Sequence, residues 1–279
     1  LNRNSSTDWV AVSPTLLAVI AAAQRVSAES DGAFDITIAP LVRLWGFGSG
    51  ATTRGDAGEA AKPFDPPTAE FIHDAMANVG YTWLELRADP TPAVRKGKVP
   101  LELDLDGIAP GYAVDRISEC LQRAGFRHHL VEIGGEVRAA GSREDGQPWR
   151  VAVEAPTSGA RQAYAGLQLR DQAVSTSGGY RSFRRTADGR TVSHTIDPRI
   201  GEPVRHALVS VTVVHPRATL ADGYATALLV LGPEEGYALA ERLGLPALFL
   251  ERIGQSQAVR ERATAEFQAL RLPVRSASL

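Results

Sequence analysis

A chain of 279 residues, 44% hydrophobic and 22% charged, can bury a substantial core as one large domain or two small ones. Its net charge of −2 supplies no global basic field for nucleic acid or acidic lipid, and its single cysteine, Cys120, excludes an internal disulfide and a cysteine-built zinc site. No apolar run approaches a membrane-spanning length. The chain opens at Leu1 and its only methionine is Met76, as expected of a processed chain or a piece of a longer one. After a polar start, Ser13-Pro14 signals a helix running to about Arg25, whose apolar stretch Leu16 to Ala23 reads as core rather than as a signal peptide. In the next stretch, residues 30–50, Ala33-Phe34-Asp35 follows a glycine and Pro40 opens a short apolar segment. It ends in Trp45-Gly46-Phe47-Gly48, where aromatics between glycines either flank a flat ring or pack a loop. Residues 49–67 read as a loop or insertion, Thr68 to Val79 as a helix, Tyr81 to Arg87 as a strand and Ala88 to Lys98 as a hairpin-like connection.

The stretch from Leu103 to Gly141 is the densest. Leu103 to Asp106 alternates like a strand, Gly107 breaks it, and Pro110 is tolerated in a first helical turn. Ala113, Ile117, Cys120, Leu121 and Ala124 share one face at helical spacing, which predicts a helix with Cys120 in the core, closed by Gly125. His129 to Ile133 follows as a strand, ended by Gly134-Gly135. The unit reads either as a βαβ-type segment whose glycines only turn the chain, or as a place where a ligand reaches the backbone.

Further on, Trp149 to Glu154 and Ala165 to Leu169 alternate as strands, and Gln172 to Ser177 runs into the small-residue turn STSGG. Tyr180 to Arg185 and Thr191 to Ile196 form a hairpin about Ala187-Asp188-Gly189, and His194 to Val204 leaves it as an irregular loop. Leu208 to Val214 is a strand. A strong helix begins at Ala218 and stops at Gly232-Pro233, a second covers Glu234 to Leu243, and Ala247 to Glu251 is a strand before a polar, poorly specified tail.

Few residues suggest chemistry. Asp222 and Thr226, four apart near a helix start, present two oxygens on one face, a pair suited to a hard cation such as magnesium. Alternatively, Asp222 only complements the helix dipole. His194, three residues before Asp197-Pro198, can take a proton near neutral pH. The remaining five histidines show no metal-like spacing, and the GxSxG, GxGxxG and GxxxxGK[ST] patterns are all absent.

Six segments in order, SDGAFDITIAPLVRLWGFG, DLDGIAPGYAVDRI, LVEIGGEVRAAG, AVSTSGGYRSF, SHTIDPRIGEPV and ADGYATALLVLG, resemble the ApbE family of FAD:protein FMN transferases from Leu1 to about Glu251. The resemblance implies an α+β fold with a T-fold-like core, mixed sheets flanked by helices. It also implies binding of FAD and Mg²⁺ and transfer of FMN to a Thr or Ser of a partner flavoprotein with release of AMP. By the same resemblance, Ala33, Phe34, Asp35, Asp104 and Thr195 match flavin-contacting positions, and Gly107 (through its carbonyl), Asp222 and Thr226 match metal ligands. His194 matches the base. Pro110 stands at a flavin-touching position where the family usually carries Lys or an acidic residue, so one polar contact is absent.

Residues 1–279 are expected to form a single domain lacking the family's usual N-terminal strand and helix. Family members are mostly exported and often lipid-anchored, so any membrane attachment would run through an N-terminal anchor outside this sequence. Two other activities use the same parts: an FAD-binding relative without transfer, and an FAD pyrophosphatase giving FMN and AMP.

Overall fold

The first helix starts as its sequence dictates: the Ser13 hydroxyl accepts from the Leu16 N–H at 3.1 Å and Pro14 sits where no N–H is needed. In the computed structural model, which describes residues 1–48, 64–157, 162–179, 183–254, 256 and 258–272, that helix is α1 (Pro14–Glu29). It runs a turn past the expected end and buries Val19, Ile20, Ala23 and Val26. Before it lies β1 (Val10–Ala11); after it come α2 (Ala39–Leu44) and α3 (Ala69–Met76), the latter capped by the Thr68 hydroxyl. The expected loop at 49–63 lies outside the described residues. Tyr81–Trp83 is a 3-10 turn rather than strand, and β2 (Leu84–Arg87) and β3 (Ala93–Lys96) pair antiparallel, completing a sheet of order β1-β3-β2.

Leu103 to Asp106 is not a strand. Its backbone finds loop partners instead of a ladder: the Leu103 N–H donates to Asn2 Oδ1 at 2.8 Å and the Asp104 N–H to the Ile36 carbonyl at 2.7 Å. The unit that follows is therefore a helix and a hairpin, α4 (Ala109–Arg123), β4 (His129–Ile133) and β5 (Glu136–Ala140), and not βαβ. Gly134 and Gly135, with φ of 70° and 116°, form the two-residue turn between β4 and β5, a conformation that side chains resist.

The predicted buried face of α4 is also overturned. Gly111, Val114, Asp115 and Ser118 face inward, while Cys120 is exposed and Ile117 retains 42% of its surface. Two polar side chains displace the apolar stripe because both find partners inside: Asp115 at the start of a later helix, Ser118 on His129 Nε2 at 2.8 Å.

β6 (Trp149–Glu154), β7 (Ala163–Leu169) and β8 (Ala173–Gly178) follow, so most of STSGG is strand. β9 (Phe183–Arg185) and β10 (Thr191–Ser193) form the expected hairpin, with residues 180–182 outside the described residues. Inside the stretch expected to be irregular, β11 (Ile196–Asp197) pairs with β12 (Glu202–Pro203). Then come β13 (Leu208–His215) and α5 (Ala218–Leu243), which breaks at Gly232 (φ 82°, ψ −172°) just before Pro233, as the sequence requires. After β14 (Ala247–Arg252), the tail is more ordered than expected, forming β15 (Val259–Ala263) and α6 (Ala265–Leu270).

Two compact units result, residues 1–107 with 181–206 and residues 108–180 with 207–279. The second is built on a six-stranded sheet of order β15-β14-β13-β8-β5-β4. Its core gathers Val153, Leu167, Leu169, Val214, Leu248 and Phe267, with α6 contributing the last of these. All ladders between named strands are antiparallel, and with six helices among the described residues this is an α+β fold.

Candidate functional site

Within the first unit, three of the sequence-predicted segments lie together. The Asp104 N–H bond to Ile36 ties the loop at 104 to the segment containing Ala33, Phe34 and Asp35. Ala33 and Phe34 are buried. The Asp35 carboxylate is buried too, and it organises the loop: Oδ1 accepts from the Thr37 N–H and hydroxyl, Oδ2 from the Tyr81 N–H, each at 2.7 Å. Burial raises its pKa above the ordinary range, against the lowering effect of these bonds. Asp35→Ala would orphan three donors, so we expect a loss of about 2–4 kcal/mol in urea unfolding, read as a lower midpoint at unchanged slope. An unchanged midpoint would remove this structural role. Asp104 is also raised, first by desolvation and also by neighbouring Asp106, against a bond from the Asp106 N–H.

The aromatic-glycine segment of the same unit meets the β10 exit. Trp45 is buried and its Nε1–H donates to the Gly201 carbonyl at 2.9 Å. Phe47 stands edge-on to His194, with ring centroids 6.3 Å apart and an interplanar angle of 65°. His194 is exposed, and Thr195 beside it is buried, its N–H donating to the Ser193 hydroxyl at 3.1 Å. Gly107 lies in a turn that ends the first of this unit's two chain segments.

In the second unit, Asp222 and Thr226 sit on α5, one turn apart. Asp222 is 4% exposed, and the one hydrogen bond found for its carboxylate comes from the Gly111 N–H to Oδ2 at 3.0 Å. Desolvation first, and then the charge of Glu136, push its pKa up to about 7. Glu136 is raised as well, chiefly by burial, and accepts from the Ser175 hydroxyl at 3.4 Å. The Thr226 hydroxyl shares a hydrogen bond of 2.9 Å with Ser177. Pro110 occupies the first turn of α4, half-buried.

The contact between α4 and α5 depends on Gly111. A Cβ there would stand 2.4 Å from the Ala218 carbonyl oxygen and 2.8 Å from Asp222 Cβ, and neither can swing aside. Gly111→Ala is expected to lower stability by about 1–3 kcal/mol through forced separation of the helices, visible as a lower melting temperature. Wild-type melting would show that the helices can part without penalty.

The donor set is all oxygen: one buried carboxylate, a hydroxyl pair and Glu136 nearby. That suits a hard cation that keeps several waters. Among the described residues no group of three or more His, Cys, Asp or Glu is placed to hold a metal ion. Gly111, Glu136 and Ser177 were not singled out from sequence, although GYAVD, IGGE and STSGG contain them. Their signal is tertiary, since each matters through a residue far away in the chain.

An antiparallel α+β protein with an oxygen-only donor face on its central helix is the class that fold and site define. A family model described as the ApbE family matches residues 1–249, and the chain belongs to that family. The FAD:protein FMN transferase of Vibrio cholerae serotype O1 is 36% identical over 267 residues, covering 96% of this chain and 75% of its own length. That of Salmonella typhimurium is 37% identical over 246 residues, covering 88% and 67%. Among solved structures, the flavin transferase ApbE from Vibrio cholerae is similar with a TM-score of 0.80 at 36% identity, over 96% of this chain and 81% of that one. The apo form of Pseudomonas stutzeri flavinyl transferase ApbE has a TM-score of 0.80 at 41% identity, over 96% and 78%.

Proposed function

We propose that this chain, like those relatives, is an FAD:protein FMN transferase: with Mg²⁺, it moves FMN from FAD to a Thr or Ser hydroxyl of a partner flavoprotein and releases AMP. The observation that carries the reading is Asp222, a buried carboxylate with its pKa pushed up to about 7 and one hydrogen bond found for it, one turn from a hydroxyl pair. A carboxylate so poorly compensated is costly unless something positive meets it. Asp222 and Thr226 would hold Mg²⁺, which when bound supplies positive charge against the phosphoryl oxygens.

The protein's own residues supply binding and proton transfer. Asp104 and Thr195 would contact the flavin, while Ala33, Phe34 and Asp35, which are buried, would shape the loop to which Asp104 is tied. Proline at 110 offers no polar side chain where the family usually has one. In the transfer the acceptor oxygen forms a bond to the FMN phosphorus while the anhydride bond to AMP breaks. The hydroxyl proton passes to His194, exposed and steered by Phe47.

The test is incubation with FAD, Mg²⁺ and a candidate acceptor domain, followed by mass spectrometry of the acceptor. A gain of one FMN, dependent on Mg²⁺, supports transfer. Free FMN and AMP with an unmodified acceptor would identify a pyrophosphatase, and tightly bound, unchanged FAD a carrier.

A further inference from the structure

The charge at the start of α5 is already answered, and not by Asp222. Asp115, on α4 and 1% exposed, accepts from the two leading N–H groups of that helix: Ala218 to Oδ1 at 2.9 Å and Thr219 to Oδ2 at 3.0 Å. The Thr219 hydroxyl adds a bond to Oδ2 at 2.6 Å, Arg138 one to Oδ1 at 2.8 Å and Arg217 one to Oδ2 at 3.3 Å. A carboxylate at those free donors satisfies them and complements the positive helix end. Because Asp115 does this, the alternative reading of Asp222 as the dipole's partner is unnecessary.

Two bonds of opposite sense thus join the same pair of helices. Asp115 of α4 grips the first turn of α5, and one turn back on α4 the Gly111 N–H grips Asp222, one turn further along α5. Ala218 and Asp222 are four residues apart on α5, as Gly111 and Asp115 are on α4, so the contacts lie in register on facing sides. A sliding or turning of α5 that broke one bond would break the other.

We propose that Asp115 is the positioning residue of the Asp222/Thr226 face, fixing the depth and rotation at which α5 presents these oxygens to a divalent cation. The inference rests on the cation-binding reading above. Asparagine at 115 has one acceptor oxygen where five donors converge on two, so the start of α5 must shift. Glutamate keeps the charge and moves the carboxylate outward by one methylene.

The experiment measures Mn²⁺ affinity of the FAD-free full chain, by the electron paramagnetic resonance signal of free Mn²⁺, for wild type, D115N, D115E and L167A. Leu167 is fully buried in the sheet core and controls for general destabilisation. The expected result is weaker binding by about 10–100-fold in both Asp115 variants and wild-type affinity in L167A, the range seen when groups supporting metal ligands are lost. Wild-type affinity in D115N overturns the proposal. So does wild-type affinity in D115E beside a weak D115N, which would make the effect one of charge alone, and so does an equal loss in L167A. A wild-type chain that binds no Mn²⁺ would instead sink the cation reading and this inference with it.

Discussion

Asp222→Asn is expected to make the metal-free protein more stable at pH 8 while abolishing its response to Mg²⁺. The buried carboxyl titrates at about 7 against an ordinary 3.8. Below pH 3.8 it is protonated in both folded and unfolded chains, and its ionisation does not affect stability. Between 3.8 and 7 the unfolded chain releases the proton and the folded chain retains it, so stability falls steadily as pH rises. Above 7 the loss is complete, on the order of 4 kcal/mol from the difference in pKa. Asparagine carries no such penalty, can still accept the Gly111 N–H, and turns its amide toward the carboxylate environment of Glu136.

Thermal melts of metal-free wild type and D222N should therefore differ little near pH 4 and diverge progressively up to pH 8, with the variant higher. Adding Mg²⁺ should raise the wild type and leave the variant unmoved, because only the wild type gains a partner for a buried charge. A variant less stable than wild type at pH 8 would mean that the carboxylate is compensated in the folded chain without any cation.

His194→Ala is expected to slow FMN transfer by about 10²–10⁴-fold, the usual worth of a positioned general base, while leaving FAD binding intact. His194 is exposed at the exit of β10 with its ring against Phe47, so its removal opens no cavity in the core. The check is the initial rate of mass gain on the acceptor, with FAD affinity followed separately by flavin fluorescence. A wild-type transfer rate in H194A would end its assignment as the base. Loss of FAD binding with the rate per bound FAD preserved would reassign it to the cofactor.

Local chemistry was legible wherever a residue's own backbone decides the outcome. Ser13-Pro14 started α1, Thr68 started α3 and Gly232-Pro233 broke α5. These hold because capping, a glycine's positive φ at 232 and the missing proline N–H act within a few residues. The family was legible as well, since six motifs in order outweigh any one of them.

What failed was every inference about which side of an element is buried by polar contacts. Spacing placed Cys120 and Ile117 inside and missed Asp115 and Ser118, because a polar residue belongs in a core only when distant donors meet it. Alternation at Leu103 to Asp106 read as strand, but Asn2 and Ile36 supply its partners.

The sequence by itself determined the chain's family, the starts of α1 and α3, the break in α5 and the Asp222–Thr226 spacing on one helical face. Only the tertiary structure decided that Asp222 is buried, that Gly111 lets α4 approach it, and that Asp115 has already taken the helix end. Burial and partnership depend on atoms brought close from over a hundred residues away in the chain, and desolvation, not residue type, pushes this carboxyl's pKa up to about 7.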